Sequence, residues 1–346
     1  MNNKSFLHFA PDHGWMNDPN GLVYKDGWYH MYFQWNPTGL EWGNIHWGHA
    51  RSKDLMHWEQ LGTAIKSTDD GRMPFSGSAF IDERNVTGLG ENTVLFFYTL
   101  AGDGMCQKMA YTHDFSDPLS LYSKNIVNQM TKENRDPKVF WHEKSNAYIM
   151  VLYYDEADFL ILRSENLLEW TVSQRLTFEK MWECPDLFEL KIKDENASKW
   201  IFWSADGYYH IGEFDGYTFV DESGRLEAYN EKLSYAAQTF TGIKNRVLAV
   251  AWKRMPEAYN GHKGVMSIPT EYTLVRNENG DLRLKMWPCR EFFNLEIEEI
   301  PLETEDERPY YLISEDGKSL HIVDVELEEH FGNACENYAR RFAIIE

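Results

Sequence analysis

The sequence predicts an all-β protein, a five-bladed β-propeller followed by a short C-terminal extension. Three observations predict the propeller. Short apolar runs rich in aromatic and β-branched residues recur along the chain. Turn dipeptides punctuate them. One eight-residue pattern returns at wide, regular intervals.

The runs Leu22–Tyr24, Trp28–Gln34, Val94–Thr99, Ala147–Tyr153, Lys199–Ser204 and Val247–Trp252 have strand length and are bounded by Gly, Asp, Asn and Pro. No long stretch repeats apolar residues at i, i+3, i+4 and i+7, so no major helix is expected. Asp26-Gly27, Asp70-Gly71, Asp206-Gly207, Asp215-Gly216 and Asn279-Gly280 are turn signals. The returning pattern is Ser52-Lys53-Asp54-Leu55-Met56-His57-Trp58-Glu59. It is echoed by Ser164-Glu165-Asn166-Leu167-Leu168-Glu169-Trp170-Thr171 and, more weakly, by Thr112-His113-Asp114-Phe115-Ser116-Asp117-Pro118-Leu119. Such a period suits four-stranded blades, with a small turn carrying an apolar side chain back between sheets. Five units would take about the first 290 residues.

The expected division is a propeller over residues 1–295 and a C-terminal segment over 296–346. That segment opens with an acidic connector, Glu296–Arg308. Length alone suggests two domains at about 150 residues each, although all-β domains often take more.

Composition excludes several classes. Against 34 Lys and Arg stand 55 Asp and Glu, a net charge of −21. A chain this acidic repels nucleic acid and anionic lipid, so neither is an expected partner. Aromatics make up 15% of the residues, ample surface to bury, which argues against disorder. No apolar run approaches the roughly 18 residues of a membrane span. Met1–Phe6 shows no secretory signal, and the four cysteines are widely spread. Reduced thiols and a cytoplasmic location are the expectation, although a trimmed chain would read the same way.

Three acidic segments stand out. Trp15-Met16-Asn17-Asp18-Pro19-Asn20-Gly21 places an Asp before a Pro, with Gly21 free to turn. Asn134-Arg135-Asp136-Pro137 repeats the Asp-Pro step. In Met181-Trp182-Glu183-Cys184-Pro185-Asp186, Glu183 lies between Trp182 and Cys184, a setting that would raise a carboxyl pKa. One carboxylate kept ionised and one raised are what glycoside hydrolysis requires. Asp136, next to Arg135, is expected to stay ionised and bind sugar hydroxyls.

With these residues in view, the chain resembles glycoside hydrolase family 32, the invertases and fructan hydrolases. The resemblance runs in order through His8-Phe9-Ala10-Pro11, Trp15–Gly21, Tyr32-Phe33-Gln34-Trp35-Asn36-Pro37 and Trp42–His49. It continues through Phe75-Ser76-Gly77-Ser78-Ala79, Arg135-Asp136-Pro137, Glu183-Cys184-Pro185-Asp186, Tyr235–Phe240 and Met266-Ser267-Ile268-Pro269. It implies a five-bladed propeller with a funnel on its axis, and retaining double displacement on a β-fructofuranoside. By resemblance, Asp18 is the nucleophile, Glu183 the acid/base and Asp136 the transition-state stabiliser. Asn17, Gln34, Trp42, Ser76 and Arg135 would bind the fructosyl ring, and Trp15, Phe75 and Trp252 would line it. The implied partner is a fructose-containing oligosaccharide; no cofactor or metal is required. Fructosyl transfer on the same site and a non-catalytic fructan-binding propeller are the alternatives. Action on another furanoside such as arabinan fits the architecture but not the motifs.

Two departures from the family matter. Its members usually carry a long β-sandwich after the propeller. Here about 50 residues remain, which points to oligomerisation or a tail folded back onto the propeller. Second, Ala251-Trp252-Lys253-Arg254 replaces a Gly-Trp-Met-Gly stretch. Lys253 and Arg254, with His262 and Lys263, form a basic island. It reads either as a solvated turn or as a surface facing an anionic leaving group such as a sugar phosphate. His8, His46 and His49 are expected to serve the core. Asp114, Asp117, Asp155 and Asp158 are a weak calcium pattern only.

Overall fold

The computed structural model describes residues 8–229, 233–294, 310–313 and 320–323. Five antiparallel sheets follow one another along the chain, each beginning with its innermost strand. Blade 1 comprises Gly14–Lys25, Trp28–Asn36, His46–Ser52 and Trp58–Ile65. Blade 2 comprises Met73–Asp82, Thr93–Ala101, Met105–Thr112 and Ser120–Leu121. Blade 3 comprises Arg135–His142, Ala147–Asp155, Asp158–Ser164 and Thr171–Thr177. Blade 4 comprises Asp186–Lys191, Ser198–Trp203, Tyr208–Phe214 and Phe219–Asp221, with Leu226–Glu227 beside its third strand. Blade 5 comprises Ser234–Thr239, Val247–Lys253, Thr270–Arg276 and Leu282–Pro288. The acidic connector lies outside the described residues. Of the C-terminal segment, only the hairpin Tyr310–Ile313 with Leu320–Val323 falls within them.

Most of the anticipated strands are second strands of blades, because those are apolar on both faces. Thr93–Ala101 is buried at every position. The innermost strands were harder to see, because polar site residues interrupt them. The first begins at Gly14 and not near Leu22, so the Asn-Asp-Pro-Asn segment is itself part of the strand. The repeated octapeptide is the turn from third to fourth strand in blades 1, 2 and 3. Asp54 Oδ1 accepts the amides of Met56 and His57 at 3.0 and 2.8 Å, and Asn166 Oδ1 accepts those of Leu168 and Glu169 at 3.0 and 2.9 Å. Asp114 Oδ1 accepts the amide of Ser116 at 3.0 Å. Leu55, Phe115 and Leu167 share a positive φ of 68°, 57° and 64°. That left-handed residue aims Leu55 and Leu167 into the core, both fully buried. Trp58 and Trp170 seal the turn by donating Nε1–H to the carbonyls of Leu55 and Leu167.

Polar side chains join the inner strands of the blades along the axis, in layers. One layer holds Asn20, whose Oδ1 accepts Gly77 N, and Gln238, whose Nε2 donates to Gly77 O. Ser78 Oγ donates to Pro137 O at 2.8 Å. Lys138 Nζ donates to Thr239 O at 2.6 Å and lies 3.2 Å from Asp186 Oδ2, which also accepts the Thr239 amide. This ion pair is buried and joins blades 3, 4 and 5. Burial pushes the Lys138 ammonium down in pKa, and the Asp186 charge opposes that. Lys138→Met should therefore cost about 3–5 kcal/mol in denaturant unfolding, because it strands the Asp186 charge. The double variant with Asp186→Leu should recover most of that loss.

The ring closes between blades 5 and 1. His262–Lys263 pairs in parallel with Gly14–Trp15. Met266 N donates to Phe9 O at 2.8 Å, and Thr241 is bonded to Leu22 and Tyr24. Gly264 (φ 89°) sits here, where an added Cβ would fall 2.3 Å from Met16 O.

Candidate active site

At their starting ends, four of the five inner strands carry one extra residue relative to the neighbouring strand. The shifts fall between Met16 and Pro19, Pro74 and Gly77, Arg135 and Lys138, and Tyr235 and Gln238. A bulge of this kind bends the strand and re-aims a side chain that would otherwise alternate with its neighbours. It is how Asp18, Ser76 and Asp136 come to face one point. Asp136 is held at φ 63°, with its amide donating to Thr99 Oγ1 at 2.9 Å. In blade 4 the turn before the strand serves the same end. Glu183 and Cys184 have φ of 20° and 45°, and Ala205 N donates to the carbonyls of Trp182 and Glu183 at 3.2 and 3.0 Å.

The three carboxylates meet around Cys184. Its Sγ lies 3.6 Å from Asp18 Oδ2 and 3.4 Å from Asp136 Oδ2, and its amide donates to Asp136 Oδ2 at 3.0 Å. Burial and the surrounding carboxylates push the thiol well up in pKa, so it stays an S–H donor. Asp18 also accepts Ser76 Oγ–H at 2.6 Å. Burial and the Glu183 charge raise the Asp18 pKa; hydrogen bonds from Ser76, Asn17 and Cys184 oppose them. Glu183 Oε2 accepts Arg135 Nε and Nη2 at 2.9 and 2.7 Å, and its Oε1 accepts Tyr235 O–H at 2.7 Å.

Two expectations are corrected here. Glu183 does not sit in an apolar wall: Trp182 is half exposed, Cys184 faces the aspartates, and the carboxylate is held by Arg135 and Tyr235. Asp136 is not kept in the ordinary carboxylate range by Arg135. Burial pushes it up to about 7, against the pull of Arg135. Arg135 holds its Nε 3.7 Å from Asp136 Oδ2, and burial together with the Glu183 and Asp18 charges outweighs its pull.

A carboxyl raised by folding makes the native state bind the extra proton. Its penalty is absent below pH 4 and grows as pH rises towards 7. Stability contributed at this position therefore falls with rising pH. Asp136→Asn should be more stable than the parent chain at pH 8, by roughly 2–4 kcal/mol, with the difference vanishing near pH 4. Unfolding curves at both pH values check this.

The remaining anticipated residues fall around this centre. Trp15 Nε1 donates to Asn17 Oδ1 at 3.0 Å, and its ring meets Trp252 edge-on at 5.6 Å. Trp42, half exposed, meets Phe75 edge-on at 5.9 Å. Gln34 is buried, with Nε2 donating to Pro74 O at 3.1 Å beside the bulge that carries Ser76. The basic island is solvated only in part, at the exposed Arg254. Lys253 and His262 are buried, Arg254 lies over the Tyr235 ring at 4.4 Å, and Lys263 lies over Trp15 at 5.5 Å.

Sequence reasoning assigned no role to Tyr235, Cys184, Glu133 or Asp206. The first two lay inside recognised motifs, a signal that was available. Asp206 was seen only as a turn dipeptide. Burial and the Glu183 charge raise its carboxyl to about 6, with Arg254 opposing. The motif histidines are bound elsewhere: His8 to Met266 O, His46 to Ser67 N, and His49 to His30 and Asp117. The weak calcium pattern does not converge. Asp114 binds Ser116, Asp117 binds His49, and Asp158 binds Arg175 and Thr177. Among the described residues no group of three His, Cys, Asp or Glu could hold a metal ion.

Fold and site together define a propeller of the glycoside hydrolase type. The family model described as glycosyl hydrolases family 32 N-terminal domain matches residues 8–302. The chain belongs to this family. It is 40% identical over 238 residues to a levanase from Bacillus subtilis (strain 168), covering 62% of this chain and 35% of the levanase. It is 34% identical over 303 residues to an invertase from Debaryomyces hansenii, covering 79% of this chain and 57% of the invertase. The structure of fructofuranosidase from Schwanniomyces occidentalis complexed with fructose superposes with a TM-score of 0.77 at 32% identity, covering 83% of this chain and 63% of that one. Exo-inulinase from Aspergillus awamori gives a TM-score of 0.79 at 27% identity, covering 89% and 70%. The chain thus spans from about a third to somewhat over half of these curated relatives.

Proposed function

We propose that this protein hydrolyses β-fructofuranosidic bonds by double displacement. The observation that carries the reading is the convergence of Asp18, Asp136 and Glu183 around Cys184 at one end of the axis. Asp18 attacks C2 of the fructosyl unit. Glu183 gives its proton to the leaving oxygen as the C2–O bond breaks. Water then attacks C2, passing its proton to Glu183, and the bond to Asp18 breaks. Asp136 takes the fructosyl hydroxyls. Asn17, Ser76 and Arg135 hold the site around the ring, and Trp15, Phe75, Trp42 and Trp252 offer it apolar faces.

Product analysis on sucrose, sucrose 6-phosphate, kestose, inulin and levan tests the reading. Release of free fructose from at least one of them is expected. Longer oligosaccharides as main products would mean transfer, and binding without turnover would mean a non-catalytic propeller. Arg254, stacked on the ring that touches Glu183, favours an anionic leaving group as a second reading. Equal kcat/KM on sucrose and sucrose 6-phosphate would dismiss it.

A further inference from the structure

We infer that Glu133 is a positioning residue that grips Arg135 from the side away from Glu183 and so governs how readily Glu183 keeps its proton. The inference rests on Glu183 being the proton donor. One guanidinium is divided between two carboxylates. Nε and Nη2 serve Glu183 Oε2 at 2.9 and 2.7 Å; Nη1 serves Glu133 Oε2 at 2.6 Å and the Glu133 carbonyl at 2.9 Å. The cation lies 4.5 Å from the centre of the Tyr153 ring.

The segment that presents Glu133 is tied down. Asn134 is fully buried, its Oδ1 accepts the amides of Met130 and Thr131, and its carbonyl accepts Gln107 Nε2. Thr131 Oγ1 donates to Tyr154 O and accepts the Glu133 amide. The Glu133 carboxylate is thus a placed charge, although half exposed.

An arginine facing Glu183 alone would favour its carboxylate form and oppose loading of the proton to be donated. Glu133 supplies a negative charge beyond that arginine and offsets its field. The other groups bearing on Glu183 and Arg135 are Asp18, Asp136, Cys184, Asp206, Tyr235 and Tyr153. A change at Glu133 leaves all of these in place. Without its charge, Glu183 should lose its proton at lower pH, and the basic limb of kcat/KM should move down. For a half-exposed charge the shift is about half a pH unit, or about a threefold loss on that limb.

The test is kcat/KM against pH on sucrose, or on whichever panel sugar is turned over, for the parent chain, Glu133→Gln, Glu133→Asp and Glu183→Gln. The basic limb should move down in Glu133→Gln and stay near its parent position in Glu133→Asp, with the acid limb unmoved in both. A limb that stays put in Glu133→Gln overturns the proposal, even if activity falls evenly at every pH. So does a limb that moves up, or one that moves equally in both variants. If Glu183→Gln keeps its turnover, the donor assignment itself fails, whatever Glu133 does.

Discussion

Asp18→Asn should abolish turnover, by about four orders of magnitude or more, while leaving the propeller standing. The amide matches the carboxylate in shape, and its carbonyl still accepts the Ser76 hydroxyl, which now bonds Asp18 at 2.6 Å. What it cannot do is form the ester with C2, so the first half of the double displacement has no route. The sign of the stability change is opposite. Burial raises the Asp18 pKa, so its ionised form burdens the folded state at neutral pH. The variant should melt at or above the parent temperature. Steady-state hydrolysis of the preferred sugar and a circular-dichroism melt on the same sample give both answers. Hydrolysis near the parent rate would place the nucleophile elsewhere.

Glu183→Gln should cost about 10²–10⁴-fold on sucrose, because the leaving sugar departs poorly without a proton. The loss should be far smaller on an aryl β-fructofuranoside, whose leaving group needs none. There the second step becomes limiting, and azide, which needs no general base, should restore turnover and yield the fructosyl azide. The ratio of the two substrate losses is the signature. Equal losses on both would deny Glu183 the donor role. The glutamine would keep one hydrogen bond from Arg135 or Tyr235, so the turn at Glu183 and Cys184 should survive. Because Asp18, Asp136, Glu183 and Asp206 are electrically linked, the position of each limb in the parent pH profile belongs to the cluster, and it is the shift between parent and variant that reads a single charge.

Much of the fold was legible because propeller blades repeat their parts. The second strands announced themselves by unbroken burial, and the octapeptide by an Asp or Asn that must accept two amides. The three carboxylates were legible through their motifs. What surrounds them was not. Neighbours in sequence suggested that Trp182 would desolvate Glu183, but the left-handed turn at Glu183 and Cys184 sends the carboxylate to Arg135 and Tyr235, 48 and 52 positions away. Asp136 was misjudged for another reason: Arg135 does attract it, but burial and the charges of Glu183 and Asp18, both distant in sequence, outweigh that pull. The bulges were invisible as well, because an extra residue in a strand shows only once its partner strand is in register.

The seam between blades 5 and 1 has a consequence for how the chain reaches its active form. His8 bonds Met266 across 258 positions, and Gly14–Trp15 finds a partner for its second edge only in His262–Lys263. On an emerging chain, the strand that bears Asp18 waits with one edge bare until nearly the whole ring has been synthesised. Contacts of such long sequence separation form late and slowly. The last clasp to close is also the one that brings Trp252 and Lys263 against Trp15. Completion of the ring and completion of the wall beside Asp18 are thus one event, and a chain halted before blade 5 holds Asp18 in an unfinished wall.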